Sequence, residues 1–415
     1  MTVIPAIIEQ HAEEAAFLWL QRDAAVRYPH YNLIDLAKLD DRVEAHIDGL
    51  RIAGDVGWKI CKQALEFEEA GEVFAASVLA FEGGDAQCIE TVIAAGAASE
   101  ETWRGLVSAF GWLTQKQVNN LLPELLKSEK PEYRHLGIVA SAIHRQDPGA
   151  ALVEALDDLE PQSQARALRA VGELKRHDLL PVLQRRFQSE NTTCRFWAAW
   201  SALLLGDFTA VEKLKPFTAE KTPFGQRAIQ FVFRGINNKE AQFELTKLAG
   251  QSSGFRSAII GSGVAGDPVR IPWLIELLTR PELARVAGEA FSMITGVDIA
   301  YEDLETDAPE DFHAGPTEDP EDEDVEMDPD EDLPWPDPEL IGAWWHKNQI
   351  SFQSGKRYLA GHPISPENCL HVLRNGFQRQ RMAAALELAL LHPGRPLFEV
   401  RAPGYRQQRL LAAGR

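Results

Sequence analysis

Arginine is the residue type in this chain whose spacing most suggests chemistry. Arg134, Arg166, Arg195, Arg227, Arg256 and Arg285 follow one another at gaps of 32, 29, 32, 29 and 29 residues. A regular row of guanidinium groups can meet phosphates along a polyanion, or it can satisfy carboxylates and carbonyls between packed helices. Each arginine sits in an apolar helical run: EYRHLGIVA, QARALRAVG, TCRFWAAWS, GQRAIQFVF, GFRSAIIGS and LARVAGEAF. Apolar residues two and four or five positions later put the arginine at the edge of a buried stripe, which favours the structural use. The row extends back through Arg104 and Arg42, with Phe74 between them, and forward to Arg381 in QRQRMAAALELALL.

Other reactive types form no set. There is no GxSxG, P-loop, strand-led GxGxxG or HExxH motif. The glycines of IIGSGVAGD lack a preceding strand and a lysine, and read as close helix packing. His144, His346, His362 and His371 stand at no metal-ligand spacing, and Cys369 with His362 or His371 could form a nucleophile–base pair only by tertiary accident. Cys61, Cys88, Cys194 and Cys369 are scattered, as expected of small buried residues in a reducing compartment. The pairs Asp40–Asp41 and Asp157–Asp158 are expected to be solvated helix ends. No catalytic, cofactor-binding or metal-binding residue is assigned.

These residues are carried by a repeat. About ten residues after each arginine the pattern breaks, often at glycine (Gly206, Gly266, Gly296), a residue suited to closing a helix. A shorter apolar helix follows, and Pro123, Pro181 and Pro272 are expected in first turns, where no donor is lost. The result is about nine helix pairs between residues 40 and 298, each relying on its neighbours for burial. The fold class is all-α. With an early arginine, a small-apolar stripe, a Gly-Asp break and a Leu-rich second helix, the unit resembles a short HEAT repeat. That resemblance implies that the arginines bridge to acidic or carbonyl groups on neighbouring repeats.

The chain has 415 residues and a formal net charge of -20. Seventeen acids and no Lys or Arg lie between Glu302 and Asp332, so the remainder is close to neutral. The tract is expected to be a disordered linker, with too little apolar area to pack, and it lacks the spacing of a calcium loop. Beyond it, Trp335, Trp344 and Trp345 could anchor a partner or pin the linker to the body. The expected organisation is a helical cap over 1–39, a repeat array over 40–301, an acidic Pro-rich linker over 302–338 and a C-terminal helical module over 339–415. The N-terminus lacks a basic segment and no apolar run reaches the ~18 residues that span a bilayer, so a cytoplasmic location is expected.

The segments DRVEAHIDGLRIAGDVGW, AWWHKNQISFQSGKRYLAGHP, GFQRQRMAAALELAL and LFEVRAPGYRQQRLL are similar to those of a proteobacterial HEAT-type family of uncharacterised function. Its members are often encoded in type VI secretion gene clusters. The resemblance implies a non-catalytic scaffold or adaptor for an effector, immunity or spike component, and it carries over no catalytic residue. A nucleic-acid-binding array is a second reading, although no run of Lys or Arg marks a basic surface. A HEAT-type lyase acting on bilins is a third, without a convergent polar set to support it.

Overall fold

The computed structural model describes residues 4–219, 223–310, 312, 314, 315 and 327–414. The centre of the expected acidic linker, at 311, 313 and 316–326, lies outside the described residues.

The chain divides into two compact units, Met1–Leu205 with His392–Arg415, and Gly206–Leu391. In the first unit the helices are α1 (Pro5–Ala25), α2 (Leu33–Ala53), α3 (Asp55–Ala64), α4 (Ala70–Gly83), α5 (Ala86–Gly96), α6 (Glu100–Trp112), α7 (Gln115–Lys127), α8 (Pro131–Ile143), α9 (Ala150–Ala155), α10 (Pro161–Glu173), α11 (Leu180–Arg186) and α12 (Thr192–Leu204). The second unit holds α13 (Val211–Leu214), α14 (Gly225–Gly235), α15 (Asn238–Ala249), α16 (Phe255–Ala265), α17 (Ile271–Leu277), α18 (Pro281–Thr295), α19 (Pro338–Asn348), α20 (Pro366–Asn375) and α21 (Gln378–Leu391). The last helix, α22 (Gly404–Ala412), belongs to the first unit and packs on α2.

Both units are stacks of helix pairs, so the fold is an all-α solenoid of the HEAT type. First helices pack on first helices, α1 on α4, α4 on α6, α6 on α8, α8 on α10 and α10 on α12, then α14 on α16 and α16 on α18. Each short second helix leans on the next first helix, as α7 does on α8 and α17 on α18. The stacking is close because small residues meet backbone. A Cβ on Gly71 would lie 2.5 Å from the Ala16 carbonyl oxygen, and one on Gly105 would lie 2.1 Å from that of Ala70.

Local signals set the starts. The Asn32 side chain accepts from the Ile34 and Asp35 amides, and Ser99 with Thr102 and Thr114 with Gln117 form reciprocal capping boxes. Pro181 and Pro272 occupy the first turns of α11 and α17. Pro123 does not. The Thr114 cap starts α7 at Gln115, eight residues before Pro123, so Pro123 falls inside the helix. Asp40 also differs from expectation: it lies mid-α2, buried, where Arg22 Nε donates to it at 2.8 Å and the Gly404 amide at 2.5 Å.

The repeat pattern gave no hint of the one strand pair among the described residues, a hairpin of Tyr358–Leu359 with His362–Pro363. It crosses the C-terminal ends of α16 and α18, where Gly266 and Gly296 adopt φ of 71° and 76°. Any side chain at Gly266 would strike the Tyr358 carbonyl, and at Gly296 the Ala360 backbone. Here glycine is required twice over, by conformation and by space.

Candidate interaction site

The ladder arginines fall on successive first helices: Arg104 on α6, Arg134 on α8, Arg166 on α10, Arg195 on α12, Arg227 on α14, Arg256 on α16 and Arg285 on α18. Arg42 lies exposed on α2, and Arg381 is fully buried on α21. They use their donors in three ways. Arg134 and Arg195 each give one nitrogen to two carbonyls of the turn before their own helix, Ser128 and Glu129 at 2.9 and 2.8 Å, and Ser189 and Glu190 at 2.7 and 2.9 Å. Arg227 donates to Pro223 O at 3.3 Å, and Arg381 to Leu373 O at 2.8 Å. Arg104 pairs with Asp23 at 3.2 Å and Arg166 with Glu173 at 3.0 Å. Arg256 and Arg285 instead meet the far flank of the acidic tract, at Asp330 and Asp328.

The flanks of that tract are packed, contrary to the expectation that they hold nothing able to pack. Leu304, Leu333 and Asp330 are buried, and Thr306 N donates to Trp335 O at 2.8 Å. The three tryptophans are half-buried in the second unit. Trp335 lies on Phe312 and Arg285, Trp344 on Phe291 and Phe352, and Trp345 on Phe352.

Two ladder residues of the first unit, Arg134 and Arg166, line a cavity of about 400 Å³. Leu126, Ile138, Ala151 and Ala155 give its lining an apolar part. His135 Nδ1 and Ser163 Oγ, both in its lining, lie 3.0 Å apart, and Glu154, Asp157 and Asp158 line it as well. The local chain builds this opening. Gly149, at φ 63°, starts the short α9, and Gln164 Nε2 ties the following turn back by donating to Leu156 O at 2.9 Å. Arg186 holds Asp157 at 2.7 Å. The turn therefore projects Leu159 outward, with 98% of its surface exposed at the cavity's edge. Burial, then the Arg166 charge, pushes His135 down to about 4, so its imidazole is neutral near pH 7. The cavity can take an apolar side chain flanked by groups of both signs. Repeat reading identified its two arginines. Leu159, Ser163 and Glu154 carried no signal, because their role depends on how α9 and its turn sit between α8 and α10.

Among the described residues, the reactive side chains singled out by the sequence stand apart. The Cys369 thiol is buried and burial pushes it up to about 12, so it is protonated and no nucleophile. His144 Nε2 is bonded to Phe110 O at 2.7 Å, while His362 and His371 lie exposed. The IIGSGVAGD glycines are packing positions: a Cβ on Gly261 would lie 2.7 Å from the Phe233 ring. Among the described residues no group of three His, Cys, Asp or Glu could hold a metal ion.

One family comparison agrees with this architecture. A family model described as HEAT repeats matches residues 149–232. No curated protein matches the chain. One similar solved structure is the crystal structure of an engineered protein from the Northeast Structural Genomics Consortium, 15% identical, covering 69% of this chain and 94% of that one, with a TM-score of 0.30. Among the described residues no helix is long and apolar enough to cross a membrane. HEAT repeats are commonly protein-interaction scaffolds, and residues 149–232 of this chain are similar to them.

Proposed function

We propose that this chain is a non-catalytic scaffold that holds another protein, and that the partner is a type VI secretion component: an effector, an immunity protein or a spike protein. The observation that carries the binding reading is the open cavity between α8 and α10, bordered by ladder arginines and an exposed leucine. Apolar pockets with a few charged groups are where partner side chains anchor. The three carboxylates on its wall argue against a polyanion as the occupant. The secretion context rests on the resemblance of the chain's end segments to that family, and a cytoplasmic location fits its four unpaired cysteines.

The test is affinity capture of the full chain from cells expressing the proteins of its gene cluster. One of them is expected to co-purify, and Ala151→Trp, which fills the cavity, or Leu159→Glu is expected to release it without lowering the melting temperature. Capture of none of them sinks the secretion reading, and capture undiminished in both variants removes the cavity as the site.

A further inference from the structure

The second unit contains a docked peptide of its own making. Residues 327–337 (MDPDEDLPWPD) lie against α16 and α18, turning at 329–332, where the Leu333 amide donates to Asp330 O at 2.9 Å. Both Asp330 carboxylate oxygens meet Arg256, Nη1 at 2.9 Å, in a two-point grip that matches guanidinium to carboxylate. Arg285 Nη2 reaches Asp328 at 2.5 Å and its Nη1 reaches Asp330 O at 2.9 Å. The Trp335 ring lies 4.5 Å from the same guanidinium carbon, stacked as aromatic rings are on cations. Further on, Trp335 O accepts from Thr306 and the Asp337 amide donates to Leu304 O at 2.9 Å, so the segment is also held as a short edge pairing.

The fit is incomplete. Arg285 is buried, yet its Nε has no hydrogen-bond partner among the described residues. A buried guanidinium nitrogen without an acceptor is costly, and a ligand that filled it would bind better than the resident segment. Arg256 remains 35% exposed at its side chain, so its grip on Asp330 is reached by solvent. Glu331 and Asp332, which follow the two gripped aspartates, are exposed, so the segment carries like charge that the face does not neutralise.

We propose that the Arg256–Arg285 face is a receptor for an acidic, turn-forming peptide, two carboxylates one residue apart followed by an aromatic, and that residues 328–335 fill it in cis as a replaceable occupant. This rests on the protein-binding reading and adds a second surface, distinct from the cavity, with its own ligand chemistry. A partner segment of that composition displaces the resident one.

The test uses the full chain and a fluorescent peptide MDPDEDLPWPD. Asp328→Asn with Asp330→Asn weakens the resident grip, and the peptide is expected to bind this variant at least tenfold more tightly than the wild type. Arg256→Lys added to that variant keeps the charge but loses the two-point geometry, and binding is expected to fall at least fivefold. On the wild type, hydrogen exchange at the Thr306 and Asp337 amides is expected to rise with excess peptide and not with a scrambled peptide of equal charge. Equal affinity for wild type and double variant, indifference to Arg256→Lys, or unchanged exchange at both amides with saturating peptide overturns the proposal. None of these outcomes touches the capture experiment, whose variants lie in the first unit.

Discussion

At the scale of single residues, ladder arginines act mainly on oxygen atoms of the folded chain. Arg195 closes two carbonyls with one nitrogen, so Arg195→Ala is expected to destabilise the first unit by roughly 1–3 kcal/mol. Chemical denaturation followed by circular dichroism checks this, and an unchanged midpoint would move Arg195 from structure to binding. Glu173 is the sharper case. Burial alone would raise its carboxyl, but Arg166, then Arg169 and Arg145, pull it down to about 2. A carboxyl lower in the folded than the unfolded state contributes stability above its unfolded value near 4.5, lost as pH falls toward 2. Glu173→Gln, which leaves the half-buried Arg166 and Arg169 without their carboxylate, is expected to cost roughly 3 kcal/mol at pH 7. That difference from wild type should shrink in melts below pH 4. His135 and His144, held to about 4 chiefly by burial, act earlier. Their neutral forms favour the folded state, so stability is expected to decline from about pH 6.5 downward, less so in a His144→Gln variant. The arginine spacing was legible in the sequence. Their acceptors were not, because a carbonyl in a turn has no letter of its own and Asp330 lies 74 residues from Arg256.

At the scale of elements, glycine decides how tightly the first helices stack. Helix α6 offers an internal comparison. Gly105 abuts the Ala70 backbone, whereas a Cβ at Gly111 would find its nearest atom, the Ile143 methyl, at 3.8 Å. Gly105→Ala is therefore expected to destabilise by about 1–3 kcal/mol through overpacking. Gly111→Ala should be neutral or stabilising by up to about 1 kcal/mol. Thermal melts of the two variants check the sign difference, and equal effects would mean that α4 and α6 separate more readily than their contact implies. The helices themselves were legible from their period, and Gly266 and Gly296 from their place after apolar runs. Pro123 misled because proline inside a helix and proline at its start look alike until the Thr114 cap is seen to begin the helix. The hairpin left no trace, since two residues per strand cannot display an alternation.

At the scale of the whole molecule, the path of the chain matters more than its composition suggests. Residues 392–414 return to the first unit and run along its helix ends. His177 meets Pro393 O, Arg145 meets Leu397 O and Glu399, Arg22 meets Arg401 O, and Arg406 donates to Leu113 O at 2.6 Å. Ending the chain after Leu391 is expected to raise amide exchange in α1, α2 and α8 while leaving α16 and α18 as they were. Uniform exchange changes, or none, would deny the segment that role. Its destination could not be read from the sequence, because LFEVRAPGYRQQRLL has the same helical character wherever it docks.

That return has a consequence for how the protein is made. The 186 residues Gly206–Leu391 must be synthesised between the two parts of the first unit. At translation rates of about 5–20 residues per second, this leaves the nascent first unit without its last segment for roughly 10–40 s. Throughout that interval Asp40 lacks the Gly404 amide, and the Arg145 guanidinium lacks its carboxylate. On the ribosome, then, the earliest helices wait unfinished while the later ones fold, and the final two dozen residues act as the latch that completes them.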